Sequence, residues 1–398
     1  MNAIHQRFSV ESAYDVVFTR AVFAEDNHCL AGLMRGEADA RPTRALVCID
    51  AGVARARPTI ATTVTDWFVA HQAAGLRLAA TPAVLPGGEA AKADLSVVDQ
   101  VGQMAAEANI CRHSYILAVG GGAMLDAVGL AASLIHRGVR LIRIPTTVLA
   151  QNDSGVGVKN GVNACGQKNF FGTFAPPHAV VNDAGFLTTL ADRDWRAGIA
   201  EAYKVALIKD GDFLAWLLAH TAELAARELE TMAALIARCA GLHCAHIATG
   251  GDPFERGSSR PLDFGHWSAH RLESLTRHRL NHGEAVAIGI ALDLLYAVRL
   301  GAFPAAACSL VLEAFAGLGF ALWDPALDLR GSDDRRLLLD GLEQFRAHLG
   351  GELTLAMPAG IGQRQDVHEL DPALVGSALD DLRAFASAPR YSTEPRRG

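Results

Sequence analysis

The chain has 398 residues, 50% of them hydrophobic and 20% charged, which is enough apolar material for at least one large buried core and an expected two or three domains. Thirty-six basic against 43 acidic residues leave a formal charge of -7, and no Lys/Arg run is long enough to follow a phosphate backbone, so nucleic acid is not an expected partner. Seven scattered cysteines with no CxxC pair read as reduced packing thiols of a cytoplasmic protein.

Residues 1–10 have no apolar stretch behind a basic start. The most hydrophobic helix candidate, 285–298, carries Asp293 and is too short to cross a bilayer, so neither export nor a membrane span is expected. From Tyr14 to Ile144, β-rich runs at 15–19, 46–49, 76–78, 115–119 and 141–144 alternate with helical stretches. That alternation predicts βαβ units on a parallel sheet: a Rossmann-like α/β domain over 1–192. After Leu190 the β signal fades, and 195–209, 213–241 and 282–300 carry apolar residues at helical spacing. The expectation is an all-α domain over 193–386, with the boundary at Asp192-Arg193-Asp194 and a disordered Pro/Arg/Ser-rich tail over 387–398.

Within the first half, Gly120-Gly121-Gly122 follows a strand and opens a helix that reaches Asp126. Bare backbone N–H groups at a helix start suit a pyrophosphate, although the third glycine of GxGxxG is missing and tight packing alone would produce the same turn. Gly87-Gly88-Glu89 leads to Lys92, and Asp50 ends an earlier strand, where an acid accepts hydrogen bonds from ribose hydroxyls or simply meets solvent. Between the halves, 153–172 packs Asp153, Lys159, Asn160, Lys168 and Asn169 among glycines with little periodicity. Such a segment reads as a loop that offers cations and donors to a phosphate ester, with an ordinary solvent loop as the alternative.

Within the second half, Glu201, His266 and His282 come from three separate segments. Two imidazoles and one carboxylate are the donor set of a catalytic zinc with one open position; scattered surface or core-polar histidines are the alternative. Lys204 lies one turn after Glu201, and His270 one turn after His266.

Together these motifs resemble the sugar phosphate cyclases, the family of dehydroquinate synthase, from about Tyr14 to Gly362, in family order. The resemblance implies a dehydroquinate synthase-like fold that binds NAD and a divalent metal, zinc by default and cobalt as the alternative. Glu201, His266 and His282 fall on metal-ligand positions. Asp50, Glu89, Lys92, Gly121, Gly122, Asp126, Thr146 and Thr147 fall on NAD positions. Asp153, Lys159, Lys168, Asn169, Lys204, Arg260 and His270 fall on substrate positions, and Arg137 matches an arginine that reaches the neighbouring subunit's phosphate site, which implies a homodimer.

Departures from dehydroquinate synthases bear on the substrate. Those enzymes have an asparagine at Asp263, a lysine at His348 and a further lysine in the stretch that here contains His243 and His246. Losing cations and gaining an acid disfavours a carboxylate-bearing substrate. The segments around Asp263, Lys159 and His348 are similar to the valiolone-type branch, whose 2-epi-5-epi-valiolone synthases cyclise sedoheptulose 7-phosphate. Asn152 and Asn160 are less typical of that branch and leave open a sister subgroup, such as the cyclase-like proteins of ebo-type operons.

The expected activity is therefore loss of phosphate from a ketose phosphate with ring closure and transient oxidation by NAD. Lys159, Lys168, Asn169 and Arg137 would hold the phosphate, Asp153, Lys204 and His270 would orient hydroxyls and relay protons, and Asp263 and His348 would tune substrate choice. The rivals are a 3-dehydroquinate synthase, a metal-dependent polyol dehydrogenase and a silent NAD-binding scaffold.

Overall fold

A computed structural model describes residues 3–34, 42–255, 257, 261–348 and 351–388, with the side chains of Pro261 and His348 left aside. The chain forms two compact units, Met1–Leu190 and Ala191–Gly398.

Among the described residues, the first unit has the strands β1 (Asp15–Thr19), β2 (Thr43–Asp50), β3 (Leu76–Leu78), β4 (Ala83–Leu85), β5 (Tyr115–Gly120), β6 (Arg140–Pro145), β7 (Lys159–Ala164), β8 (Gln167–Phe174) and β9 (Ala179–Asp183). Its helices are α1 (Cys29–Met34), α2 (Ala51–Ala56), α3 (Ile60–Ala70), α4 (Ser96–Glu107) and α5 (Gly122–Leu134). Seven strands form one parallel sheet in the order β1-β9-β6-β5-β2-β3, with β4 also on β2. All of β5 and β9 and the last six residues of β2 are buried, as expected of strands covered on both faces. Val97, Val101, Leu125 and Val128 of α4 and α5 pack against Leu46 and Ile116 on one face. Leu30, Val64 and Trp67 of α1 and α3 pack against Val47 and Leu117 on the other. In register, Ile49 pairs with Val119 and Gly120 with Pro145, so the loops after β2, β5 and β6 leave the sheet at one edge. Ligands bind at such an edge in doubly wound folds.

The stretch 153–172 is not the irregular loop that its composition suggested. A π-helical turn, Ala150–Ser154, leads into the antiparallel hairpin of β7 and β8. Its strand pattern is hidden because β8 is exposed along nearly its whole length, while the buried stretch of β7 consists of Asn160, Gly161 and Val162 rather than alternating large apolar residues. Gly172 is required here, since a Cβ would lie 2.6 Å from the Asn160 carbonyl oxygen.

The second unit contains α6 (Asp192–Lys209), α7 (Gly211–Ala219), α8 (Thr221–Ala225), α9 (Leu229–Thr249), α10 (His266–Leu275), α11 (His282–Arg299), α12 (Ala305–Gly317), α13 (Asp340–His348) and α14 (Pro372–Ser387). It is helical, with one addition that the sequence did not suggest, a small hairpin of β10 (Leu355–Pro358) and β11 (Arg364–Val367). The expected single helical stretch 213–241 is three helices. The chain turns at His220, and again where Arg227 takes φ +61 before the Glu228 side chain caps α9. Helix α11, mostly buried, packs against α6, α10, α12 and α14.

Among the described residues, the helix long and apolar enough to cross a membrane is α9 (mean hydropathy 1.2 over its best window), not 285–298. Within the unit, α9 buries Met232, Leu235, Ile236 and Cys239 and places Arg238 against Asp210 at 2.9 Å. Of the tail expected to be disordered, Ser387 is the last residue of α14, and residues from 389 onward lie outside the described residues.

Candidate active site

In the first unit the glycine turn is built as its sequence implies. Gly121 caps α5 in an extended conformation (φ -77, ψ 168), and the helix begins at Gly122 with its first N–H groups pointing out of the turn. Asp50 is wedged beside it: its Oδ1 accepts from Gly52 N at 2.6 Å, and a Cβ on Gly87 or Gly120 would come within 2.1 or 2.9 Å of its side chain. Glycine at both positions lets three loops close around one carboxylate. Thr146 donates its backbone N–H to Gly120 O at 3.0 Å, and the Thr147 methyl would lie 3.5 Å from a Cβ on Gly121. Lys92 and Asp126 form an ion pair at 2.7 Å, while Glu89 is exposed. Asp50, Lys92, Gly121, Gly122, Asp126, Thr146 and Thr147 are thus gathered around one helix N-terminus, a suitable cradle for a pyrophosphate.

Sequence reading missed Ser154 and Arg143. The Ser154 hydroxyl would lie 2.4 Å from a Cβ on Gly122. Arg143, fully buried on β6, donates to Gly155 O, Gly157 O, Lys159 O and the Asn160 side-chain oxygen at 2.6–3.1 Å. It fixes the turn between Asp153 and Lys159, and it makes Asn160 a framework residue rather than a ligand group. The hairpin separates some of the expected phosphate ligands. Lys159 pairs with Phe174 at its open end, whereas Lys168 and Asn169 stand near its turn, about 13 Å along the strand at roughly 3.3 Å per residue. Arg137 is exposed at φ +63.

In the second unit Glu201, His266 and His282 converge. Glu201 Oε1 lies 3.1 Å from His282 Nε2 and 3.6 Å from His266 Nε2, and one donor atom from each residue fits within 4.8 Å of the others. Helix α6 supplies Glu201 from its fully buried middle, whereas both histidines are the first residues of their helices. His282 is placed by a capping box, in which Asn281 accepts from Glu284 N and Glu284 accepts from Asn281 N. Arg193 of α6 ties this box down through Glu284 at 2.6 and 3.0 Å. The close approach of α11 to its neighbours needs glycine. A Cβ on Gly283 would sit 2.3 Å from Ala197 O of α6, and one on Gly289 would sit 2.0 Å from Gly265 O, just before α10.

The charges in this cluster are tightly interdependent. Burial alone opposes a charge on Glu201, but Lys204, His266 and His282 outweigh it and hold the carboxyl well below the usual carboxylate range. Lys204 Nζ stands 2.5 Å from Glu201 Oε2, and both side chains are almost fully buried. Burial would likewise discharge His282, yet Glu201 and Glu273 push its pKa up to about 10. His270 keeps one face to solvent, but desolvation of its ring and the neighbouring His266 and His282 bring it down to about 3, against Glu273 and Asp263. His266 Nδ1 lies 3.0 Å from Phe264 O; a carbonyl only accepts, so Nδ1 carries the proton and Nε2 is left for a metal. The donor set therefore fits a divalent ion held by Glu201, His266 and His282. Sequence reading missed Glu273, although it follows His266 by seven residues and shares its helix face. Arg260 and the His348 side chain lie outside the described residues.

Comparison with known proteins identifies the family. The family described as 3-dehydroquinate synthase N-terminal matches residues 82–197, and 3-dehydroquinate synthase C-terminal matches 198–332. A 2-epi-5-epi-valiolone synthase of Streptomyces glaucescens is 37% identical over 296 residues, covering 72% of this chain and 74% of that protein. A 3-dehydroquinate synthase of Nitrobacter winogradskyi is 34% identical over 386 residues, covering 95% of each. The solved structure of a 2-epi-5-epi-valiolone synthase from Streptomyces hygroscopicus subsp. jinggangensis 5008, with NAD+ and Zn2+ bound, superposes with a TM-score of 0.83 at 30% identity, over 96% of this chain and 99% of that one.

Proposed function

The chain belongs to the dehydroquinate synthase-like family of sugar phosphate cyclases, and on that premise we propose that it converts sedoheptulose 7-phosphate into a valiolone-type carbocycle with loss of phosphate, using NAD and a divalent metal. The observation that carries this reading is the buried convergence of Glu201, His266 and His282 in one unit, in a chain whose other unit carries a glycine turn fit for a dinucleotide. The relative with NAD+ and Zn2+ bound supports the pairing of cofactors, and zinc, with cobalt as a substitute, suits two imidazoles and a carboxylate.

When bound, the ion supplies Lewis acidity at substrate oxygens and NAD supplies a hydride acceptor. The chain's own groups do the rest. Lys204 holds Glu201 in its ionised form. His270, neutral at ordinary pH, can accept a hydrogen bond from a substrate hydroxyl and orient it. Asp263 accepts a hydrogen bond from a second hydroxyl. Asp153 orients a further hydroxyl, and Lys159, at the open end of the β7–β8 hairpin, meets the phosphate together with Arg137 of a second copy, in a homodimer that we take to be the working form.

The charges on His270 bear on substrate choice. Glu273 and Asp263 face it with negative charge, a poor setting for a substrate carboxylate and a good one for neutral hydroxyls. A 3-dehydroquinate synthase remains the second reading, because a relative of that name matches over 95% of the chain. Incubation with sedoheptulose 7-phosphate and, separately, with the carboxylate-bearing sugar phosphate of dehydroquinate synthases decides between them. We expect a cyclitol product from the first only; turnover of the second alone would refute the substrate assignment.

A further inference from the structure

Helices α10 and α11 each carry one metal-binding histidine and one buried carboxylate. On α10 these are His266 and Glu273; on α11 they are His282 and Asp293. The carboxylates serve the opposite helix. Glu273 Oε2 lies 3.6 Å from His282 Nδ1, the ring nitrogen that faces away from Glu201. Asp293 accepts from Gly265 N at 3.2 Å and from the Trp267 indole N–H at 2.9 Å. Those two residues flank His266, and Gly265 holds the left-handed φ of +78 from which α10 starts. Contact between Gly289 and Gly265 leaves no space for the turn to shift towards α11.

Charge adds a second argument. Lys204 at 2.5 Å offsets the charge of Glu201, so one carboxylate and two neutral imidazoles bring little net charge to a divalent ion. Glu273, 3% exposed, supplies a negative charge directly behind a ligand. A carboxylate in that place fixes the tautomer and strengthens the imidazole as a donor.

We propose that Glu273 and Asp293 are positioning residues for the metal ligands, arranged reciprocally: Glu273 of α10 holds His282 with Nε2 towards the ion, and Asp293 of α11 holds the Gly265–Trp267 turn that aims His266. The proposal rests on Glu201, His266 and His282 being a divalent-metal site.

The test is zinc affinity of the full chain, measured by competition with a chelating dye, for Glu273→Gln, Asp293→Asn and Glu201→Ala. Melting temperature and NAD affinity serve as controls, and the visible spectrum of the cobalt-loaded protein reports ligand geometry. Each positioning variant is expected to bind zinc about 10- to 100-fold more weakly, with a changed cobalt spectrum and unchanged NAD affinity. Should Glu273→Gln fail to fold, Glu273→Asp keeps the charge but draws it back from Nδ1 and is expected to weaken zinc in the same direction. Folded variants of both positions with zinc affinity within twofold of the parent would overturn the proposal. Full zinc content in Glu201→Ala would instead bring down the metal assignment beneath it, a separate and recognisable result.

Discussion

Gly283 of α11 lies against Ala197 of α6 so closely that a Cβ would stand 2.3 Å from the Ala197 carbonyl oxygen, and this contact brings His282 Nε2 to 3.1 Å from Glu201 Oε1. Gly283→Ala must push the helices apart, because a backbone carbonyl cannot rotate away as a side chain does. A destabilisation on the order of 2–3 kcal/mol is expected, with loss of bound zinc, by thermal melting and metal analysis. Gly241→Ala, on α9 with nothing within 4 Å, should instead stabilise by about 0.5–1 kcal/mol.

Glu201 and Lys204 form a nearly solvent-free pair. Removing only the acid, as in Glu201→Gln, takes the carboxylate away from a buried ammonium and should cost about 3–5 kcal/mol. The double variant Glu201→Gln/Lys204→Met should regain most of that stability in a denaturant titration while still binding no zinc. Zinc binding in the double variant would show that Glu201 is not a ligand.

Burial pushes the Asp293 carboxyl up to about 7, against the hydrogen bonds from Trp267 and Gly265 that favour its charged form. The folded state therefore holds this proton more tightly than the unfolded chain does. The sign follows from linkage: Asp293 contributes most to stability below the ordinary carboxylate range, and that contribution is lost as pH rises through about 7. Asp293→Asn should flatten the decline in metal-free stability between about pH 4 and 7, measured by urea unfolding across that range. An unchanged slope would contradict it.

In the other unit, a Cβ on Gly122 would meet the Ser154 hydroxyl at 2.4 Å. Gly122→Ala is expected to displace the start of α5 and weaken NAD about tenfold, or 1.4 kcal/mol, with zinc content unchanged. Calorimetric titration with NAD checks it. Parallel loss of NAD and zinc would point to a general folding defect.

Much of this site is legible in the residues themselves because its donors are chemically distinctive. A histidine opening an apolar helix, a Glu–Lys pair one turn apart and three consecutive glycines after an apolar run each have ordinary uses alone, but together in one chain they point to one chemistry. What escaped notice works through contact rather than chemistry. Gly283 and Gly289 look like helix-weakening residues until the packing shows the carbonyls they admit. Arg143 reads as a strand residue until its four bonds to the following turn are seen. The hairpin of β7 and β8 was hidden because an exposed strand carries no alternation of apolar and polar residues. Asp293 looked like a polar interruption in an apolar helix; only the fold reveals the indole and amide it receives.

The proposed reaction is a redox-neutral elimination that needs both the metal ligands and the dinucleotide. It is tested most directly by following phosphate release and reduced-nicotinamide absorbance together in the zinc-loaded protein supplied with NAD and sedoheptulose 7-phosphate. One phosphate is expected per substrate consumed, with no net accumulation of NADH and no turnover in His282→Ala. NADH accumulating in step with substrate consumption and without phosphate release would mark a polyol dehydrogenase instead.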